Sequence, residues 1–130
     1  MMKRFGTVLL LTLGLWLAPA VQAGTAVDEL LARYQAEGAQ AGDVARGERL
    51  WKTPHGERSC QSCHGKDLAR PGRHERTGKA IKPMAPSVNP ERLTQTRKIE
   101  KWFLRNCKWT FGRECSAQEK ADILVFLKTQ

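Results

Sequence analysis

Apolar side chains first fall into a helical rhythm at Val27, Leu30, Leu31 and Tyr34, spaced i, i+3, i+4 and i+7, which gives a short helix one apolar face. The stretch Glu37-Gly38-Ala39-Gln40-Ala41-Gly42 breaks the rhythm and predicts a turn. Asp43 follows as a candidate N-cap, its carboxylate placed to accept from the free N–H groups of a second helix in which Val44, Gly47 and Trp51 share a face. The missing side chain at Gly47 lets another helix approach closely, and Pro54 closes the segment. Between Pro54 and Pro90 lie five of the six prolines and several glycines, with no sustained period of 3.6 or 2. A loop this long needs something to wrap around.

Order returns with a turn of helix predicted at Pro90-Glu91-Arg92-Leu93, followed by Ile99, Trp102, Phe103 and Asn106 on one helical face. Ser116-Ala117-Gln118-Glu119 reads as a capping box leading into Ile123, Leu124, Phe126 and Leu127. The pattern predicts an all-α fold of four or five helices with little or no strand and no internal repeat. At 130 residues and 41% hydrophobic content the chain supports one compact domain. That core is small for so many loop residues, and a cofactor would supply the missing apolar volume.

Charge narrows the partners. Lys and Arg number 22 against 13 Asp and Glu, a formal +9, which favours acidic partners. The cations are scattered, without clustered aromatics or a recognised motif, so nucleic acid is excluded as a partner. Arg97, Lys98, Lys101, Arg105 and Lys108 read as a solvated basic face that can serve as a docking rim. A mean hydropathy of −0.49 excludes a polytopic membrane protein.

The first 23 residues stand apart. Lys3 and Arg4 precede an apolar run from Val8 to Ala18, and Val21-Gln22-Ala23 supplies small residues for cleavage after Ala23. The run is 11 residues long, short of the about 20 needed to cross a bilayer, so no stable membrane anchor is expected. Residues 1–23 are read as a signal peptide and 24–130 as the mature domain, with 107 residues, a charge of +7 and a periplasmic location. Export also places the four cysteines in an oxidising compartment.

Cys60-Gln61-Ser62-Cys63-His64 is CxxCH, the attachment signature of a c-type haem. Two thiols at this spacing can add across the two vinyl groups of one porphyrin, and the adjoining imidazole can coordinate its iron. A thioredoxin-like CxxC would want a βαβ context that this segment lacks. A zinc knuckle would want a second closely spaced pair, and Cys107 and Cys115 are too far apart to be one. With two thiols taken by haem, an even remainder in an exported chain reads as a Cys107–Cys115 disulfide, a structural staple in preference to a redox switch.

The other side of the iron is open to four candidates: Met84, His55, His74 and Asn106. His55 and His74 sit in polar loop sequence and read as solvated. Met84 lies about twenty residues past His64 in the proline-rich loop Lys82-Pro83-Met84-Ala85-Pro86, where ordinary monohaem cytochromes c can draw on a thioether. Asn106 puts an amide on a helix face that should be buried, at a cost of about 1–3 kcal/mol unless it finds a partner.

The chain resembles the sphaeroides haem protein family of high-spin monohaem cytochromes c. The likeness rests on Cys60 to Gly65, Arg76-Thr77-Gly78-Lys79, Ala85-Pro86-Ser87, Glu100-Lys101-Trp102, Arg105-Asn106-Cys107, Gly112-Arg113 with Cys115, and Glu119-Lys120-Ala121-Asp122. It implies a class I cytochrome c-like fold wrapped around one covalently attached haem, with Gly47 and Trp51 meeting the C-terminal helix. It further implies Asn106 as sixth ligand and a Cys107–Cys115 disulfide. Met84 departs from the aliphatic residue expected there and stands as the alternative ligand.

The resulting expectation is a periplasmic haem c protein in which His64 binds iron permanently and Asn106 is displaced on reduction, admitting O2, NO or CO. The resemblance implies electrons from a multihaem cytochrome, and the basic charge an acidic surface on it. The role is electron transfer and haem binding, with oxygen reduction as a side activity and no catalytic residues assigned. The alternative is a simple electron carrier with His64 and Met84 ligation and no gas binding.

Overall fold

The computed structural model describes residues 23–130; the expected signal segment lies outside them except for Ala23. The first helix, α1 (Ala23–Ala36), buries Val27, Leu30 and Tyr34, the face that the apolar spacing picks out. A turn through Gly38, in the left-handed region at φ 99°, leads to α2 (Val44–Lys52). Asp43 caps α2 by accepting from the Arg46 N–H at 2.7 Å.

The C-terminal helix, α5 (Ala117–Lys128), starts from the predicted capping box, with Ser116 and Glu119 each accepting from the other's backbone N–H. Its Leu124 is fully buried, and Ile123, Phe126 and Leu127 are buried beside it. α2 crosses α5 at Gly47. A Cβ there would run into the Asp122 carbonyl oxygen and stand 2.7 Å from Phe126 Cβ. Trp51, one turn further along α2, packs its ring 6.1 Å from that of Phe126.

Asp122 sits at the same crossing with 2% exposure. It accepts from the Asp43 N–H at 2.8 Å, from Arg46 Nε and Nη2 at 2.9 Å each, and from Gln118 Nε2 at 3.0 Å. A buried carboxylate so fully bonded avoids the cost of an unpaired charge.

Between these helices the chain forms α3 (Cys60–His64), an antiparallel hairpin of β1 (Gly72–Arg73) and β2 (Ala80–Ile81), and α4 (Thr96–Phe111). Gly72 pairs with Ile81 and Arg73 with Ala80. The expectation of little or no strand holds, since each strand has two residues.

Two expectations need correction. Pro90 to Leu93 forms turns in place of helix. Arg92 and Asn89 are tied by their side chains to the Pro83 carbonyl at 2.8 and 2.9 Å, and Leu93 takes a φ of 60°, opposite in sign to a helical residue. On α4 the buried face runs Ile99, Phe103, Cys107 and Thr110. Trp102, 42% exposed, and Asn106 stand on the neighbouring face, so the amide is not enclosed in the protein core.

The α4 helix ends at Gly112, whose φ of 71° supplies the left-handed cap. Cys107 and Cys115 are bonded, with Cα atoms 5.5 Å apart, joining the end of α4 to the start of α5.

Candidate haem site

The CxxCH motif is itself a helix. Ser59 and Ser62 form a capping box at its start, the Ser59 hydroxyl accepting from the Ser62 N–H at 3.2 Å and the Ser62 hydroxyl from the Ser59 N–H at 3.0 Å. Cys60 and Cys63 thereby stand three residues apart on one face, with His64 one turn from Cys60. Gly65, at φ 77°, ends the helix.

The hairpin packs directly on this motif. A Cβ at Gly72 would collide with the Cys63 carbonyl oxygen and lie 2.8 Å from His64 Cα, and the Glu75 N–H points at Cys63 Sγ over 3.3 Å.

Cys60, Cys63 and His64 all line one cavity of about 590 Å³, within the about 300–1,000 Å³ typical of cofactor sites. Burial, reinforced by the charge of Arg92, lowers the His64 pKa to about 4. The imidazole is therefore neutral at physiological pH, the form that binds a metal. Burial raises the Cys60 thiol to about 11. This opposes the disulfide-exchange reading, because exchange needs a thiolate.

Polar groups on the wall fit a bound haem. His64 Nδ1 and Trp51 Nε1 are buried without a protein partner, and both residues line the cavity. Arg92, also on the wall, donates Nε to the Pro83 carbonyl at 2.8 Å and Nη2 to the Lys82 carbonyl at 2.6 Å. Among the described residues it has no carboxylate within 4.0 Å. A partly buried guanidinium satisfied by carbonyls alone keeps its charge for an anion, and a haem carries two propionates.

The structure brings Met84 and Asn106 to this cavity with His64. Met84 comes from the loop after the hairpin, where the amides of Met84 and Ala85 both donate to the Leu68 carbonyl, at 3.0 and 2.9 Å. Asn106 comes from α4, between Trp102 and Trp109, which stand four residues before it and three after it and also line the cavity.

The two loop histidines separate. His55, also expected to be solvated, is half-buried against Phe111 with ring centroids 4.1 Å apart and its Nε2 buried without a protein partner, and it does not line the cavity. His74, expected to be solvated, is half-buried on the cavity wall. Its Nδ1 accepts from the Arg76 and Thr77 N–H groups, both at 3.2 Å, so the hairpin turn fixes the ring. Strands of two residues carry no alternation, and nothing in the sequence pattern could have drawn His74, Arg92 and Trp109 together.

A family model described as a domain of unknown function, DUF1924, matches residues 37–127. The chain is 42% identical over 117 residues to the cytochrome c-type protein SHP of Cereibacter sphaeroides, covering 86% of this chain and 90% of that protein. It is 42% identical over 83 residues to cytochrome c'' of Methylophilus methylotrophus, covering 63% and 58%. Among solved structures, oxidized SHP, described as an oxygen-binding cytochrome c, matches with a TM-score of 0.71 and 43% identity, over 80% of this chain and 96% of that one. Oxidized cytochrome c'' matches with 0.69 and 33%, over 82% and 95%.

Proposed function

The chain belongs to the sphaeroides haem protein family of c-type cytochromes, with one covalent haem c as its cofactor, and from that premise we propose that it is a periplasmic redox protein whose iron opens to a diatomic ligand on reduction. In this reading the signal peptide is cleaved after Ala23 and the electrons come from a multihaem cytochrome with an acidic surface. The absence, among the described residues, of any helix long and apolar enough to cross a membrane is compatible with that location.

When bound, the haem would supply a one-electron iron couple and room for a further ligand on its iron. Cys60 and Cys63 would hold it through sulfur, and the neutral His64 imidazole would bind the iron. Arg92 and the Trp51 indole N–H offer the wall a positive charge and a donor for the propionate edge.

Asn106 is the displaceable ligand. A carboxamide oxygen is a hard, weak donor, so Asn106 would bind ferric iron more readily than ferrous. Its amide N–H would serve as a hydrogen-bond donor to O2, NO or CO held in the cavity. The observation that carries this reading is that Asn106 lines the cavity from α4, alongside Ile99 and Phe103 of the same helix and in the same cavity as His64. The oxygen binding stated for the related SHP structure supports it.

Met84 favours the second reading, a simple carrier closed to gases, because it also reaches the cavity. It is partly buried and packed against the hydrophobic core, which speaks for a packing role. Visible spectra of the ferric and ferrous protein with and without CO separate the two. The expected result is CO binding by the reduced protein and an altered ferric spectrum in Asn106→Ala, with Met84→Leu unchanged. A far-red methionine–iron band that survives in Asn106→Ala and disappears in Met84→Leu, together with no CO binding, overturns the proposal.

A further inference from the structure

Arg76, Trp102, Arg105 and Trp109 line the cavity and form, with Arg58, an arrangement beyond the CxxCH attachment. Trp109, half-buried on the wall, has the Arg58 guanidinium 4.0 Å from its ring centroid and that of Arg76 at 5.3 Å. Arg58 also donates to the Trp109 carbonyl at 3.4 Å. One turn earlier on α4, Arg105 lies 5.2 Å from the ring of Trp102. All three arginines are exposed, and among the described residues none is within 4.0 Å of a carboxylate.

Stacking holds a guanidinium plane against an indole and leaves its N–H edge outward, so the groups are ordered before anything binds. Pre-ordered arginine and tryptophan are the residue types that dominate interface binding energy. A flexible lysine rim would give steering without such fixed geometry.

We propose that the Arg58–Trp109–Arg76 clamp, extended by Arg105, is the docking site for an acidic electron-carrying protein, whose carboxylates take the three guanidinium edges beside the haem. This rests on the haem reading above. It places the contact at the junction of the hairpin and the end of α4, at one end of the rim expected from Arg97 to Lys108. Charge complementarity selects the occupant: three unpaired cations at one mouth repel a basic partner and reward paired carboxylates.

The test uses the haem-loaded protein with an acidic flavodoxin as probe. Two quantities are measured: the dissociation constant, by calorimetry with both proteins oxidised, and the rate at which the reduced flavodoxin reduces the haem. Arg58→Glu with Arg76→Glu is compared with Arg33→Glu with Lys128→Glu, an equal charge change at cations of α1 and α5 that do not line the cavity and are already paired with carboxylates. The clamp variant should weaken binding and slow reduction by at least about tenfold at low salt, the gap closing near ~0.5 M salt, while the control changes both by less than about threefold. Arg58→Glu alone, at a residue outside the cavity lining, covers the case in which the double variant loses haem.

Equal loss in clamp and control variants overturns the proposal, since net charge then does the work. So does binding of the wild type to phosphatidylglycerol vesicles without binding to the flavodoxin. A wild-type protein without haem absorption would instead sink the underlying reading.

Discussion

In the frame made by α1, α2 and α5, every cation except Arg49 lies within 4.0 Å of a carboxylate. In the hairpin segment and α4 only Lys108 does, paired with Glu114 at 3.4 Å. Among buried polar atoms, Asp122 has partners on both oxygens at the α2–α5 crossing, whereas Trp51 Nε1, where α2 lines the cavity, and His64 Nδ1 have none in the protein, nor does His55 Nε2 beside Phe111. The frame closes on its own side chains. The cavity half is finished by what binds to it.

That division gives mutations in the two halves different signatures. The largest effect is expected at Gly47, where an added Cβ meets backbone at Asp122 as well as Phe126 Cβ at 2.7 Å. Backbone cannot yield as a side-chain tip can, so Gly47→Ala should cost about 3 kcal/mol, the upper end of overpacking penalties. Thermal melting of the haem-loaded protein checks it. A loss below about 1 kcal/mol would mean that the helices separate cheaply and that the frame is not the rigid half.

Next in size is the disulfide, which spans eight residues from α4 to α5. The chain-entropy argument gives about 2–3 kcal/mol for so short a loop. Cys107→Ser with Cys115→Ser should therefore lower stability by that amount. It should also disturb the ferric spectrum, because Asn106 adjoins Cys107 at the staple. A loss of stability with an unaltered spectrum would place the whole effect in the frame.

The contrast between the halves follows how much of the molecule could be read from the sequence. Asp43 and Ser116 cap helices through contacts three residues along, and Gly47 faces α5 because a heptad-like face must be small somewhere; such signals are local. CxxCH is legible for the same reason, since its chemistry lies within five consecutive residues. Arg92 reaches Pro83 through a turn in which Leu93 has positive φ. His74 reaches the wall through a hairpin of two residue pairs. Arg58 and Arg76 meet at an indole some fifty and thirty residues away in sequence. These contacts have no period and no spacing rule. Asn106 lies between the two cases: Ile99, Trp102, Phe103 and Asn106 all line the cavity, as their shared face predicts, but Trp102 and Asn106 are exposed there where the spacing predicts burial.

The smallest expected effect sharpens the comparison through pH. Bonds from Arg113, at 2.8 Å to each oxygen, and the Ser116 cap N–H outweigh burial and lower the Glu119 carboxyl to about 2, from an ordinary value near 4.5. A depressed acid stabilises the fold fully above the unfolded value and loses that contribution as pH falls from about 4.5 toward 2. Arg113 is more than half exposed, so solvent screening holds the contribution to about 1 kcal/mol. Glu119→Gln keeps an acceptor for the Ser116 N–H but loses the charge and turns the oxygen that accepts from Arg113 Nη2 into an NH2 group. It should melt lower than wild type at pH 7 by the equivalent of about 1 kcal/mol and converge with it near pH 2. Its visible spectrum at pH 7 should match wild type, because Glu119 does not line the cavity. A spectral change without a change in melting would show that the start of α5 reports to the haem and that the two halves are not separable.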